Sequence, residues 1–375
     1  MHFLPLHFIS TQFYHRKHRS LALGFAALCA AGFAPAATQA QDLYVGLGGF
    51  NSVIRFAGTG AGTYASTSTT LSDTSFSLSG PQGMAFDSKG DLFVANQYSS
   101  PGSITEYQAG AAPGTFGAST VLSSSTMNEP YGLAFDSSGD LFATNKGSTF
   151  GEGSITEFMA TGPGTFAAAV KTLTSPSLNE PTGLAFDANG DLFAADSLGL
   201  NGQNSVTEFV SAGGGTFGAS AVTLNSQSLY DPQGVTVDAK GDLFVANYYG
   251  NSITEFAAGL TAGTFQTPFL FAYGSKLDGP TGLAFDSSGN LFVANEGTNA
   301  NNTGTVTEIT FTASGDLATN QIIESGLAGP AFLAFGPSAS NPVPEASTTV
   351  SFGLLLALGL GGLAVAKRRQ ARKPN

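Results

Sequence analysis

A seventeen-residue phrase occurs five times in this chain, and no other feature restricts its fold as strongly. GPQGMAFDSKGDLFVAN at residues 80–96 returns as EPYGLAFDSSGDLFATN (129–145), EPTGLAFDANGDLFAAD (180–196), DPQGVTVDAKGDLFVAN (231–247) and GPTGLAFDSSGNLFVAN (279–295). The shared glycines Gly83, Gly132, Gly183, Gly234 and Gly282 lie 49, 51, 51 and 48 residues apart. A fixed period of about 20–50 residues marks one supersecondary unit repeated, each copy burying a face against the next. After each phrase comes S-[IV]-T-E-[FY] or a close variant, at 103–107, 154–158, 205–209, 252–256 and 305–309. Most repeats then carry G-T-F, beginning at Gly114, Gly164, Gly215 and Gly263.

Each unit reads as four short strands. GLAFD forms the first, and an Asp-x-x-Gly turn leads into the second, DLFVAN; the turn glycines Gly90, Gly139, Gly190, Gly241 and Gly289 tolerate positive φ. The second strand is a continuous apolar run, the pattern of a strand covered on both faces. SITEF forms the third, and the segment after G-T-F the fourth. Composition agrees: charged residues make up 11% of the 375, with 49 Gly and 31 Phe, which favours turn-rich β structure over a helical bundle. Four-stranded units in series predict an all-β protein, a β-propeller.

The ends set the blade count. Residues 42–56 supply a second and a third strand with no first, and residues 329–336 supply a first strand with nothing after it. Together they complete a sixth blade, so residues 41–337 form a ring of 49.5 residues per blade, closed by pairing the N-terminal strands with the last C-terminal strand. Closure of this kind leaves few free strand edges. The pattern P-x-G-[LMV]-[AT]-[FV]-D, then G-[DN]-L-[FY]-V-A-[ND], then I-T-E-F resembles NHL-repeat propellers over nearly the whole body. Two departures stand out: Phe332 replaces the repeated Gly, and Glu occupies the third strand where the family often has a basic residue. The second argues against the basic RNA-binding face of some relatives.

Charge narrows the partners. Residues 41–342 hold 6 basic and 25 acidic residues, a net charge of −19. That surface repels phosphate backbones, so nucleic acid is not an expected partner. All four His (His2, His7, His15, His18) and the single Cys29 precede residue 41, and Trp is absent. Without its N-terminus the body has no imidazole or thiol. Ser-His-Asp and Cys-His chemistry, His or Cys zinc sites and disulfides are thereby excluded from it.

Both ends read as addresses. Arg16, Lys17 and Arg19 precede an apolar run at 20–33, and Thr38-Gln39-Ala40 offers a small-residue cleavage site, the layout of a signal peptide over residues 1–40. Residues 338–349 form a linker containing Val-Pro-Glu-Ala. Residues 350–366 are seventeen apolar residues, just enough for a transmembrane helix, and 367–375 form a basic cytoplasmic tail. The order of Pro344-Glu345, apolar span and Arg368-Arg369 resembles the PEP-CTERM sorting signal. That resemblance implies processing by an exosortase-type enzyme in a Gram-negative bacterium that makes exopolysaccharide. A plain C-terminal anchor is the alternative, and on either reading the body is exported to the cell surface, outer membrane or extracellular matrix.

Function is expected on one face. Loops leaving strand two (46–52, 96–103, 145–154, 196–205, 247–252, 295–305) vary in length and share a face with the start of strand one, and variable loops on a rigid scaffold usually carry recognition. Asn96, Asn145, Asp196, Asn247 and Asn295 end the second strands there, and Glu129 and Glu180 precede strand-one prolines. An oxygen-only ring of this kind suits Ca²⁺ rather than zinc. The same residues also suit turn capping. Tyr98, Tyr131, Tyr230, Tyr248 and Tyr249 lie on that face and can stack on sugar rings, or pack between blades. The main expectation is a non-catalytic propeller that binds a polysaccharide or a surface protein through these loops. The alternative resembles the six-bladed gluconolactonase-type hydrolases, with a divalent metal activating water beside residues such as Glu129, Asn145 and Asn247.

Overall fold

The computed structural model describes residues 41–337, apart from 61–62, 72–77, 150, 198–203, 219–220, 262, 298–302 and 313–314. The expected signal peptide, sorting motif (Pro344, Glu345, Arg368, Arg369) and membrane helix lie outside the described residues. Among the described residues no helix is long and apolar enough to cross a membrane.

Six four-stranded antiparallel sheets form the six expected blades. Blade 1 combines Pro330–Phe335 with Leu43–Leu47, Ser52–Gly60 and Thr63–Leu71. Blade 2 runs Pro81–Phe86, Leu92–Asn96, Ser103–Ala109 and Phe116–Ser123. Blade 3 runs Pro130–Phe135, Leu141–Asn145, Ser154–Gly162 and Thr165–Leu173. Blade 4 comprises Pro181–Phe186, Leu192–Asp196, Ser205–Phe209 and Val222–Asn225. Blade 5 comprises Pro232–Val237, Leu243–Asn247, Ser252–Phe256 and Phe269–Tyr273. Blade 6 is Pro280–Phe285, Leu291–Asn295, Thr303–Phe311 and Leu317–Ala328. The ring closes as the sequence predicts: Leu43 pairs with Phe335 and Val45 with Leu333. Gln41 adds a clasp, its Oε1 accepting from Ser287 N at 2.8 Å.

The core lies between blades, not within any one of them. Six apolar clusters each join two adjacent blades. Their centre is the second-strand aromatic, buried in every blade: Tyr44, Phe93, Phe142, Phe193, Phe244 and Phe292. The next blade offers it an edge. Phe93 meets Phe135 at 5.2 Å and Phe166 at 5.8 Å, and Phe142 meets Phe186 at 5.1 Å and Phe217 at 5.8 Å. These T-shaped contacts are the favoured aromatic geometry.

The G-T-F motif is an inter-blade clasp, and its parts divide the work. Its Phe (Phe166, Phe217, Phe265) packs on the second-strand aromatic of the preceding blade. Its Thr closes the hairpin loop, as Thr115, Thr216 and Thr264 do by donating to a carbonyl three residues back at 2.6 Å. Its Gly, in the left-handed region (φ +65 at Gly164), lies over acids of the preceding blade: a side chain there would meet Asp91 Oδ2 and Lys89 Nζ at 2.8 Å.

Those acids explain the third-strand Glu. Glu106, Glu157, Glu208, Glu255 and Glu308 are all buried. In blade 4, for example, Glu208 lies beside Asp191, whose Oδ1 accepts from Ser211 N, and beside the turn residue Asp187, whose Oδ1 caps Asn189 N and Asp191 N. Blade 1 inverts the charge, with Arg55 at the Glu position bonded to Asp42 at 2.6 Å.

Candidate functional site at the channel mouth

The strand-one glycines form a collar. A methyl on Gly83 would lie 2.8 Å from Gly132 Cα, one on Gly132 3.1 Å from Gly183 Cα, and so on to Gly282 against Phe332 Cα at 2.6 Å. Only glycine lets backbones approach this closely. Phe332 is the one collar position with a side chain, and its ring meets Tyr131 at 5.7 Å. Blade 2 separates those two blades, so the contact spans the channel.

At one end of the channel five blades join the residue after strand two to the residue before strand one. Gln97, Lys146, Tyr248, Glu296 and Gly48 donate their N–H to Gly80, Glu129, Asp231, Gly279 and Gly329 respectively. This places the loops after strand two and the starts of strand one on a single face, as the sequence predicts. The residues before strand one are left-handed in five blades, and at two of them the residue is not glycine: Glu129 (φ +53) and Asp231 (φ +57). A side chain there costs about 1–2 kcal/mol, so the scaffold holds two carboxylates at the mouth against local preference.

Asp231 joins a polar cluster. Lys146 Nζ lies 3.3 Å from Glu180 Oε2 and 5.8 Å from the centre of the Tyr131 ring. Gln233 Nε2 donates to Asp231 Oδ1 at 2.9 Å, and Gln82 Nε2 to Gln97 Oε1 at 3.0 Å. The Tyr248 hydroxyl is bonded to Glu296. Burial raises the Glu296 carboxyl above the usual carboxylate range, opposed by the Tyr248 bond. Burial likewise raises Asp231, opposed by Gln233 and the Lys146 charge. The Tyr248 hydroxyl is pushed up to about 12 by burial and by the Glu296 charge. Burial also raises Tyr131, with the charges of Glu296 and Asp231 adding to it. Groups from blades 3, 5 and 6 therefore act on one another at one place. A carboxyl raised by burial is suited to proton transfer, and an ammonium nearby to a developing oxyanion.

The residues expected to bind sugar rings separate into two groups. Tyr98, Tyr230 and Tyr249 are exposed at 68%, 59% and 65%. Tyr249 contacts both Tyr248 (4.9 Å) and Tyr230 (6.2 Å), which makes blade 5 the aromatic side of the rim. Tyr98 lies against Gly80, and Tyr131 descends into the channel.

The residues expected to hold Ca²⁺ are placed differently. Asn96 Nδ2 donates to Ser103 Oγ (3.2 Å) and Thr105 Oγ1 (2.9 Å), and its Oδ1 accepts from Ser79 N. Asn145 repeats this with Ser154, Thr156 and Asn128 N. Asn247 bonds Thr254 and Tyr230 N, and Asn295 bonds Thr305 and Thr307. Asp196 accepts from Asn179 N and Glu180 N. Asn96, Asn145 and Asn247 thereby tie strand three to the start of strand one in blades 2, 3 and 5, which explains the Ser and Thr of S-[IV]-T. Among the described residues no three His, Cys, Asp or Glu are grouped to hold a metal ion. The Asn and Asp side chains of the expected ligand set are thus engaged in hydrogen bonds within their own blades.

Sequence reading missed Lys146, Glu296, Gln82, Gln97 and Gln233. A signal was present: within otherwise repeated phrases, the x of P-x-G reads Gln82, Tyr131, Thr182, Gln233, Thr281, Ala331, and the residue after strand two reads Gln97, Lys146, Ser197, Tyr248, Glu296.

No protein-family profile and no curated protein matches the chain. Solved structures do match. A streptogramin B lyase structure is 12% identical with a TM-score of 0.54, covering 82% of this chain and 90% of that one. A periplasmic gluconolactonase of Pseudomonas aeruginosa is 17% identical with a TM-score of 0.54, covering 80% and 99%. A catalytically inactive His-to-Ala variant of virginiamycin B lyase from Staphylococcus aureus is 14% identical with a TM-score of 0.50, covering 80% and 93%. At these identities the likeness is one of fold.

Proposed function

We propose that this protein is an exported propeller whose channel mouth is a small-molecule site that hydrolyses a lactone or ester. The observation that carries this reading is where the repeat breaks. Scaffold positions recur from blade to blade, whereas the positions facing the mouth differ and bring together Lys146, Tyr131, Asp231, Tyr248 and Glu296. The gluconolactonase-like fold of a structural neighbour supports the reaction class. A lyase that depends on histidine is disfavoured, because the residues from 41 onward contain none.

In this mechanism the substrate carbonyl sits beside Lys146, whose ammonium stabilises the oxyanion as water adds. Glu296 or Asp231 takes the proton from that water and returns it to the leaving alkoxide. The residues present do not fit a resident divalent metal, and no step uses one. Export, sorting through 338–375 and processing by an exosortase-type enzyme belong to the same proposal, supported by the sequence alone.

The test is hydrolysis of a panel of sugar lactones and aryl esters by the purified full-length chain in detergent. Glu296→Gln and Lys146→Met are each expected to lower kcat about 100-fold with the far-UV spectrum unchanged. Absence of turnover across the panel overturns the hydrolase. It would favour the second reading, non-catalytic binding of a polysaccharide or surface protein at the exposed Tyr98, Tyr230 and Tyr249.

A further inference from the structure

Among the buried oxygens at this face that lack a hydrogen-bond partner, two belong to strand-one glutamines. Gln82 and Gln233 are 8% and 7% exposed, and each side chain commits its NH₂ to a neighbour, Gln97 Oε1 and Asp231 Oδ1. Their Oε1 atoms accept from nothing. A buried acceptor left unpaired costs about 1–3 kcal/mol, and in native proteins such atoms are rare. Both lie on strand one at the position that in blade 3 carries Tyr131 into the channel. The Gln82 amide reaches the mouth, 3.2 Å from where a side chain on Gly48 would begin.

The surrounding groups have the same polarity. Asp231 and Glu296 are carboxyls and Gln97 offers a carbonyl, while the Lys146 ammonium is already paired with Glu180. A ligand that satisfies these groups supplies hydrogen-bond donors, and one that also carries positive charge is held best. The rim adds Tyr249 in contact with both Tyr230 and Tyr248, and aromatic faces attract ammonium groups. The same rings stack on the apolar face of a sugar. A neutral sugar can donate its hydroxyls to the amide oxygens but brings no charge to Asp231 and Glu296, and an anionic ligand meets carboxylates. Inorganic cations suit the site less, because no three carboxylates converge among the described residues.

We infer that the channel mouth binds a ligand bearing a protonated amine on a hydroxylated ring, an amino sugar, with the ammonium directed at Asp231, Glu296 and the free oxygens of Gln82 and Gln233. This rests on the mouth being the working site, as proposed above, and not on hydrolysis.

The test is calorimetric titration of the full-length chain in detergent with glucosamine, N-acetylglucosamine, glucose and CaCl₂ at pH 7. Glucosamine is expected to bind at least tenfold more tightly than glucose or N-acetylglucosamine. Asp231→Asn and Gln233→Leu are each expected to weaken it about tenfold, and Glu208→Gln, on the opposite face, to leave it unchanged. Equal affinity for all three sugars, no binding of glucosamine, or displacement of glucosamine by Ca²⁺ overturns the inference. Glucosamine binding without lactone turnover sinks the hydrolase alone. Turnover of neutral lactones without glucosamine binding sinks only the amine inference.

Discussion

One carboxylate shows how a single side chain sets solution behaviour. Glu208 is 1% exposed, its Oε1 has no partner, and its strand-four neighbour is Val222. Elsewhere strand four supplies a donor: Thr120 to Glu106, Lys171 to Glu157, Gln321 to Glu308. Burial, then the charges of Asp191 and Asp187, push Glu208 up to about 7. Glu255, opposite Phe269, is also pushed up to about 7, by burial and then by Asp242 and Asp238. A Glu whose folded pKa lies above its unfolded value favours folding most below pH 4.5 and loses that contribution as pH rises through 7. Burial and a shift of this size put the Glu208 loss at about 3 kcal/mol. Urea denaturation at pH 5 and pH 8 is therefore expected to show lower stability at pH 8. In Glu208→Gln that difference should shrink by about 3 kcal/mol, the remainder coming from Glu255 and the other raised carboxyls; an unchanged difference would show that Glu208 is not a source of it.

At the scale of the element, strand one depends on the absence of side chains. A methyl on Gly183 would lie 2.5 Å from Gln233 O and 2.8 Å from Val235 N, backbone atoms that neighbouring blades hold in place. Gly183→Ala is expected to cost about 2–3 kcal/mol, read as a lower urea midpoint at unchanged slope. Gly289→Ala is the contrast: at φ +81 with open space around it, it should cost about 1 kcal/mol through backbone strain alone. If the two variants were equally stable, close approach of blades would not be what selects the collar glycines.

At the scale of the molecule, the ring is held shut by a strand remote in sequence from its partner. Val45 is fully buried between Ile54 and Leu333. Val45→Asp puts an unpaired charge into the closing blade and is expected to cost at least about 3 kcal/mol. Limited proteolysis should then cut first within residues 41–60. Cleavage beginning instead in blades 3–5 would mean that closure does not limit opening.

The blade count, the strands and the closing pair were legible because they are properties of a period: each copy of GLAFD…DLFVAN…SITEF states the same local structure, and unmatched strands at the two ends had to find each other. The inter-blade clasp was half legible. G-T-F stood out as a motif, but its glycine and phenylalanine act on the preceding blade, on residues 72–75 positions earlier in the chain. The mouth was the least legible part. Asn96, Asn145 and Asn247 drew attention by repeating, yet repetition marked scaffold: their amides tie strand three to strand one. Lys146, Glu296, Gln82 and Gln233 repeat nothing, and each is ordinary in its own blade. They become a site only because ring closure brings the ends of six strands around one axis. The sequence by itself determined how many blades there are and what holds each together, since local patterning and turn chemistry act within a blade. Which side chains share the channel, with which charges and which unpaired oxygens, was decided by tertiary structure alone, because burial and electrostatics depend on distances between blades that no local pattern encodes.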